Sequence, residues 1–147
     1  MLGTENDDDL VKATGRARSI NRHSWSETEL LDNLGNSNSH CAKIFNEMRR
    51  RIQIRSQQEA FHPNATQYTL HFDSGVFAFW RESPDRHQSV FAIHNITNQV
   101  QQVPLTELNL IATEVWTDAL SGKHYDDLDE VIAIPPYGAI WITNSRK

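Results

Sequence analysis

Apolar and polar positions follow one rule before Pro63 and another after it. The earlier part is polar and rich in helix formers. Asp7 to Thr14 has the length of one short helix closed by Gly15, and Arg16 to Arg22, which has no amphipathic period, reads as a loop. Ser26 and Glu29 match a capping box, in which each side chain satisfies a free backbone N–H at a helix start. Leu30, Leu31 and Leu34 follow, and Gly35 stops the helix. The longest helix is expected from about Ser39 to about Gln58, because Cys41, Ile44, Phe45, Met48 and Ile52 recur at three- and four-residue spacing and form one apolar stripe. Arg49, Arg50, Arg51 and Arg55 lie on its other face.

After Pro63 the period shortens to two. Strands are expected at Gln67–Phe72, Val76–Arg81, Ser89–Asn95, Gln99–Pro104, Glu114–Asp118, Val131–Ile134 and Ala139–Thr143. Asp73, Ser74 and Gly75 make a tight hairpin turn, Ser83 to Asp85 a Pro-containing one, and Thr97 and Asn98 a two-residue one. Val76, Ala78 and Trp80 alternate with Phe77, Phe79 and Arg81, and Val90, Ala92 and His94 with Phe91, Ile93 and Asn95. Both sets contain large apolar residues, as expected for a two-layer sandwich with one sheet partly covered. The predicted class is α+β, with helices over residues 1–62 and a small antiparallel sandwich over 63–147.

The 147 residues, 38% hydrophobic and 22% charged, suffice for one small domain with an added segment. They fall short of the roughly 250 of a complete (β/α)₈ barrel. A net charge of −5 gives no overall field for a phosphate backbone, so no nucleic acid partner is expected. No run approaches the ~18 apolar residues of a membrane span, and Glu5, Asp7, Asp8 and Asp9 stand where a secretory leader would be basic and then apolar. A cytoplasmic protein without membrane contact is expected. The triplets at Asn64 and Asn95 are then chance matches to a glycosylation signal.

Candidate chemistry is sparse. Arg16, Arg18 and Arg22, with Asn21 and His23, could converge on an anionic or polyhydroxyl ligand or simply form a solvated basic loop. The acidic run from Glu5 lacks the spacing of a calcium loop and fits a helix start. The seven His residues do not pair at ligand spacing, so neither a metal nor any other cofactor is expected. Cys41, on the apolar stripe, reads as a small buried side chain. Trp80, Trp116 and Trp141 suit core packing or, alternatively, a sugar-stacking platform. The residues alone supply no complete active site.

Several stretches carry a resemblance: Gly3-Thr4-Glu5-Asn6-Asp7, Leu10-Val11, and Thr14-Gly15-Arg16-Ala17-Arg18-Ser19-Ile20-Asn21-Arg22. Ile44 to Arg55, Gln58-Glu59-Ala60-Phe61-His62-Pro63, Gly75-Val76-Phe77-Ala78, Ala92-Ile93-His94-Asn95-Ile96-Thr97 and Pro136-Tyr137-Gly138-Ala139-Ile140-Trp141 continue it. Together they resemble the C-terminal region of the sucrose phosphorylase group of glycoside hydrolase family 13. The Arg-Ser-Ile-Asn-Arg form, with Phe-His-Pro after the helix, looks closer to the enzymes acting on glucosylglycerate or phosphorylated disaccharides.

The resemblance implies a retaining glucosyl transfer from sucrose, a sucrose phosphate or glucosylglycerate to inorganic phosphate, giving α-glucose 1-phosphate. Such chemistry places two carboxyl groups about 5 Å apart across the scissile bond. In the family both lie upstream of this region, so the chain alone is expected to be inactive. By the same resemblance Arg18 matches an arginine that, with an aspartate near the enzyme's N-terminus, grips the 4-hydroxyl of the glucosyl unit. Asn6 and Asp7 match a loop-ordering pair, and Asn21 and Arg22 would hold the Arg18 loop in shape. The long helix would be the last of the barrel, its stripe made to lie on strands outside this chain. The implied partners are a glucosyl disaccharide and phosphate in the complete enzyme, and the missing barrel portion or a partner chain supplying it. Two alternatives are a free-standing carbohydrate-binding sandwich and a subunit completing a split barrel.

Overall fold

The computed structural model describes residues 4–145; Met1 to Gly3, with the Gly3 that opens the family-like stretch, and Arg146 and Lys147 lie outside the described residues. Helix α1, Asp8–Thr14, begins where the Asp7 carboxylate accepts from the Leu10 N–H at 2.8 Å. It ends at Gly15, whose φ of +64° lets its N–H reach the Val11 carbonyl, a conformation that suits a residue without Cβ. The segment from Arg16 to Arg22, expected as a loop, holds a 3₁₀ turn at Ala17–Asn21. Ser19 N–H donates to Arg16 O at 2.9 Å and Arg22 N–H to Ser19 O at 3.0 Å. A single such turn is too short to leave an amphipathic signature in the sequence.

Helix α2, Glu27–Gly35, is capped by Ser26, whose Oγ accepts from the Glu29 N–H at 3.2 Å. The expected capping box is only half made, because the Glu29 carboxylate turns to His23 Nε2, 3.3 Å away. Helix α3, His40–Ser56, starts at Ser39, whose Oγ accepts from the Ala42 N–H at 3.0 Å and donates to Asn33 O at 2.6 Å.

The chain divides into two compact units inside α3, residues 1–53 and 54–147, earlier than the change of composition at Pro63. The end of α3 goes with the strands because Ala60 and Phe61, in the 3₁₀ turn Glu59–Phe61, share one apolar cluster with Val90, Ala92 and Trp141. In the first unit the buried residues among those described are Ser19, Cys41 and Ala42. Most of the apolar stripe of α3 is open: Phe45 is 39% exposed, Met48 43% and Ile52 61%. Among the described residues no helix is long and apolar enough to cross a membrane.

The second unit contains β1 Thr66–Leu70, β2 Val76–Glu82, β3 Ser89–Asn95, β4 Gln101–Pro104, β5 Val115–Asp118, β6 His124–Tyr125, β7 Val131–Ile134 and β8 Ala139–Ser145. A six-stranded sheet runs β1-β2-β3-β8-β5-β6, and β4 with β7 makes a second, two-stranded sheet. The pairings are antiparallel. Phe91, Ile93, Trp116 and Ile142 of the large sheet pack with Val103, Ile132 and Ile134 of the small one. The opposite face of the large sheet holds the Phe61 cluster. The fold is thus α+β, helices followed by a small antiparallel sandwich whose larger sheet is apolar on both faces.

Two local expectations change. The two-residue strand β6 was not foreseen, since two residues carry no period; it is fixed by Trp116 opposite Tyr125. Thr97 and Asn98 do not close a hairpin, because β4 pairs with β7 and the chain here crosses between sheets. Asn95 governs the crossing. Its buried amide donates to Gln99 O at 2.6 Å, Pro135 O at 2.9 Å and Ile134 O at 3.1 Å, while its Oδ1 accepts from Thr97 N–H at 2.9 Å. Its amide nitrogen is fully engaged, which leaves the Asn95 triplet a structural element.

Candidate functional site

The Arg18 loop is held by short polar side chains rather than by its arginines. Thr14 Oγ1 donates to Leu10 O at 2.7 Å and meets Ser19 Oγ at 3.1 Å, and Ser19 is buried. The start of α1 is tied to the same turn, because Asp7 N–H donates to Ile20 O at 2.8 Å. Thr14 thus bonds back to the carbonyl one turn earlier while reaching the turn that follows, and Ser19 is small enough to be buried within that turn. Both stand in the family-like stretch, yet neither was singled out as a site residue; burial of one Ser in a polar loop has no sequence signature.

Arg18, Asn21 and Arg22 are exposed on that turn. Among the described residues the Arg18 guanidinium makes no hydrogen bond, ion pair or ring contact. Asn6 and Asp7 instead line an open hollow of about 630 Å³ with His23, Trp25, Glu29 and Asn33. The Arg18 turn is not part of that lining. Within the hollow the charges are largely committed: Asp7 caps α1, Asp9 lies 3.2 Å from Lys12, and Glu29 faces His23. Trp25, which the sequence reading passed over, meets His23 edge-on with ring centroids 4.8 Å apart. A tryptophan in an otherwise polar stretch was the available signal.

The arginines of α3 are similarly engaged. Glu47 accepts from Arg50 at 2.9 Å and from Arg51 at 2.7 Å, and these hydrogen bonds lower its pKa to about 2. Arg49 lies over Phe45 at 5.9 Å and Arg55 over Phe61 at 5.5 Å. Such pairings within one helix neighbourhood serve the helix itself.

In the sandwich the tryptophans are structural. Trp116 and Trp141 are buried. Trp80 is stacked between Tyr68 and Phe91, its register partners on the two neighbouring strands, with centroids 4.9 and 5.7 Å away. Neither face is left for a sugar ring. A hollow of about 580 Å³ beside the end of α3 is lined by Gln58, Gln88, Thr117, Thr143 and Asn144 among others. Its amides serve the fold: Gln88 accepts from Ala60 N–H and donates to Gln58, and Asn144 joins Ser89 N–H to His87 O. Among the described residues no group of three or more His, Cys, Asp or Glu is placed to hold a metal ion.

Comparison with known proteins brings these features together. No family model matches the chain. It is 30% identical over 142 residues to the glucosylglycerate phosphorylase of Allomeiothermus silvanus, covering 97% of this chain and 22% of that protein. With the glucosylglycerate phosphorylase of Spirochaeta thermophila the identity is 28% over 155 residues, covering 99% and 26%. The chain thus spans about a quarter of the length of the curated relatives it matches. Among solved structures, AmyP in complex with maltose aligns at a TM-score of 0.62 with 13% identity, over 74% of this chain and 22% of that one. An Anoxybacillus α-amylase aligns at 0.58 with 16% identity, over 71% and 23%. These two establish the likeness of fold. Taken with the Arg-Ser-Ile-Asn-Arg run and the sandwich that follows it, the matches along nearly the whole chain make it a relative of the C-terminal region of the glycoside hydrolase family 13 sugar phosphorylases.

Proposed function

We propose that this chain acts as the C-terminal portion of a retaining sugar phosphorylase that moves a glucosyl group from glucosylglycerate, sucrose or a sucrose phosphate to inorganic phosphate. The observation that carries this reading is the open stripe of α3. Phe45, Met48 and Ile52 face solvent at helical spacing, as a helix made to lie on further strands would present them. Near-complete coverage by relatives some four times as long supports the same view.

In this reading Arg18 projects from its turn toward the glucosyl unit, where a planar guanidinium can hold a hydroxyl group in a fixed direction. Asn6 and Asp7 order the preceding loop, and Asn21 and Arg22 flank the turn. The nucleophilic carboxylate and the proton-donating acid come from the remainder of the enzyme, on the same polypeptide or on a partner that completes a split barrel. The sandwich, residues 63–147, is in this reading the C-terminal domain that stabilises the complete enzyme, and residues 1–62 are the last loop and helices of its barrel.

The test is a chimera in which this chain replaces the portion it matches in the Allomeiothermus silvanus enzyme. Release of glucose 1-phosphate from glucosylglycerate or sucrose is expected from the chimera and not from the isolated chain. Arg18→Ala in the chimera should lower kcat/KM by about a hundredfold, the cost of losing a well-placed positioning contact. A folded but inert chimera, or product formed by the isolated chain, overturns the proposal.

A further inference from the structure

The six-stranded sheet ends on two unlike edges. One is β6, two residues long and flanked by Lys123 and Asp126, which is too short and too charged to invite a further strand. The strands of the small sheet are guarded as well, since β4 ends on Pro104 and Pro135 follows β7. The other edge of the large sheet is β1, which keeps unbroken register with β2 from Thr66 opposite Glu82 to Leu70 opposite Ala78, without a bulge. Residues 65–70, Ala-Thr-Gln-Tyr-Thr-Leu, contain no charge, proline or glycine. Among the described residues no strand pairs with the outer side of β1, and all of β1 but Leu70 is exposed.

The alternation of hydrogen bonds decides which backbone groups of β1 are left over. Ser83 N–H donates to Gln88 O at 2.8 Å, at the open end of the β2–β3 ladder. Bonded and unbonded positions alternate along antiparallel strands, so Arg81, Phe79 and Phe77 spend their N–H and C=O groups on β3, and Glu82, Trp80 and Ala78 spend theirs on β1. Thr66, Tyr68 and Leu70 are thereby engaged. Gln67 and Thr69 turn their N–H and C=O groups outward.

These outward groups are complementary to a copy of themselves. About a twofold axis at Tyr68, two β1 strands set Gln67 of each copy opposite Thr69 of the other, and each such pair exchanges both of its hydrogen bonds. Tyr68 then stands opposite Tyr68 of the second copy at an unbonded position, where facing side chains come closest. The Tyr68 ring stacks on Trp80 of β2 with centroids 4.9 Å apart, so its other face looks toward the place of a further strand, and the residue is 47% exposed. A second Tyr68 would cover it.

We infer that the chain forms a twofold dimer in which β1 pairs with β1 of a second copy and joins the two six-stranded sheets into one. Pairing consumes the open edge of both copies and leaves a guarded β6 at each end, so association stops at two. The inference goes beyond the proposed function and does not depend on it.

The experiment follows the sedimenting mass of the isolated chain with rising concentration, on an Ile52→Gln background that weakens association through the stripe of α3. The mass should climb from one chain to two and stay there. Tyr68→Lys sets like charges opposite each other on the axis and should weaken the dimer about tenfold or more. Thr69→Pro removes an outward N–H, leaves the ladder to β2 intact and should do the same while the circular dichroism of the fold is kept. Tyr68→Cys, oxidised with diamide, should give a disulfide joining residue 68 of two chains, identified by mass spectrometry, whereas Gln67→Cys, which lies diagonally across the axis from its own copy, should not. Should Thr69→Pro unfold the chain, Tyr68→Lys and the disulfide decide. A single chain at every concentration overturns the inference. So does a dimer that Tyr68→Lys leaves intact, a dimer without the disulfide at residue 68, or a mass that keeps growing past two.

Discussion

The two units of this chain differ in what holds their elements in place. In residues 1–53 local hydrogen bonds do the work: the Asp7, Ser26 and Ser39 side chains cap three successive helices, and few residues are buried. In residues 54–147 the strands are fixed by burial, with Phe91, Ile93, Trp116 and Ile142 on one face of a sheet and Val90, Ala92 and Trp141 on the other. Caps choose where a helix starts but stabilise it weakly, whereas a packed core supplies most of a domain's stability. The first unit has defined elements and an open apolar stripe; the second has its own interior. A portion of a larger enzyme that completes a core elsewhere would be built in this way.

The largest blow to this contrast should come from Trp116→Ala. Removing a buried indole from between the two sheets is expected to cost about 3–5 kcal/mol in denaturant unfolding of the isolated chain. Loss of less than about 1 kcal/mol would mean that the sandwich interior is not the main source of stability. Next, Asn95→Ala should cost about 1–3 kcal/mol, because three carbonyls at the crossing between sheets lose their donor.

Ser26→Ala tests the other side of the comparison. It should lower helix content and amide protection in α2 by about 1 kcal/mol while leaving the strand amides unchanged. Ile52→Gln, on the open stripe, should shift the stability of the isolated chain by under about 0.5 kcal/mol. A large destabilisation there would show the stripe already covered.

The units should also part company with pH. Glu47, ordinarily at 4.5 and held at about 2 by Arg50 and Arg51, favours the folded helix above pH 4.5 and loses that contribution as pH falls toward 2. Tyr125 behaves in the opposite sense. Burial, aided by the charges of Asp118 and Glu130, pushes its phenol from 10.0 up to about 12, so its contribution is present below pH 10 and disappears as pH rises toward 12. Glu47→Gln should therefore flatten the acid limb of helix content measured by circular dichroism, by a small amount because the pair is half exposed. Tyr125→Phe should flatten the alkaline limb of strand unfolding.

The sequence by itself determined the helices of the first unit and most strands of the second. The cap at Ser26, the stop at Gly15 and the period of two after Pro63 are short-range signals, readable within a few residues. The Arg-Ser-Ile-Asn-Arg run carried the family likeness for the same reason: its residues are contiguous. Tertiary structure alone decided which strands pair. Thr97 and Asn98 suggest a hairpin locally, but Asn95 spends its amide on carbonyls near residue 135 and sends β4 to the other sheet. Only the folded chain separates the buried Trp116 from the open Phe77, or shows that Ser19 and Thr14, rather than the arginines, hold the Arg18 turn. Periodicity records that a face is apolar, while burial depends on which residues distant in sequence come to cover it.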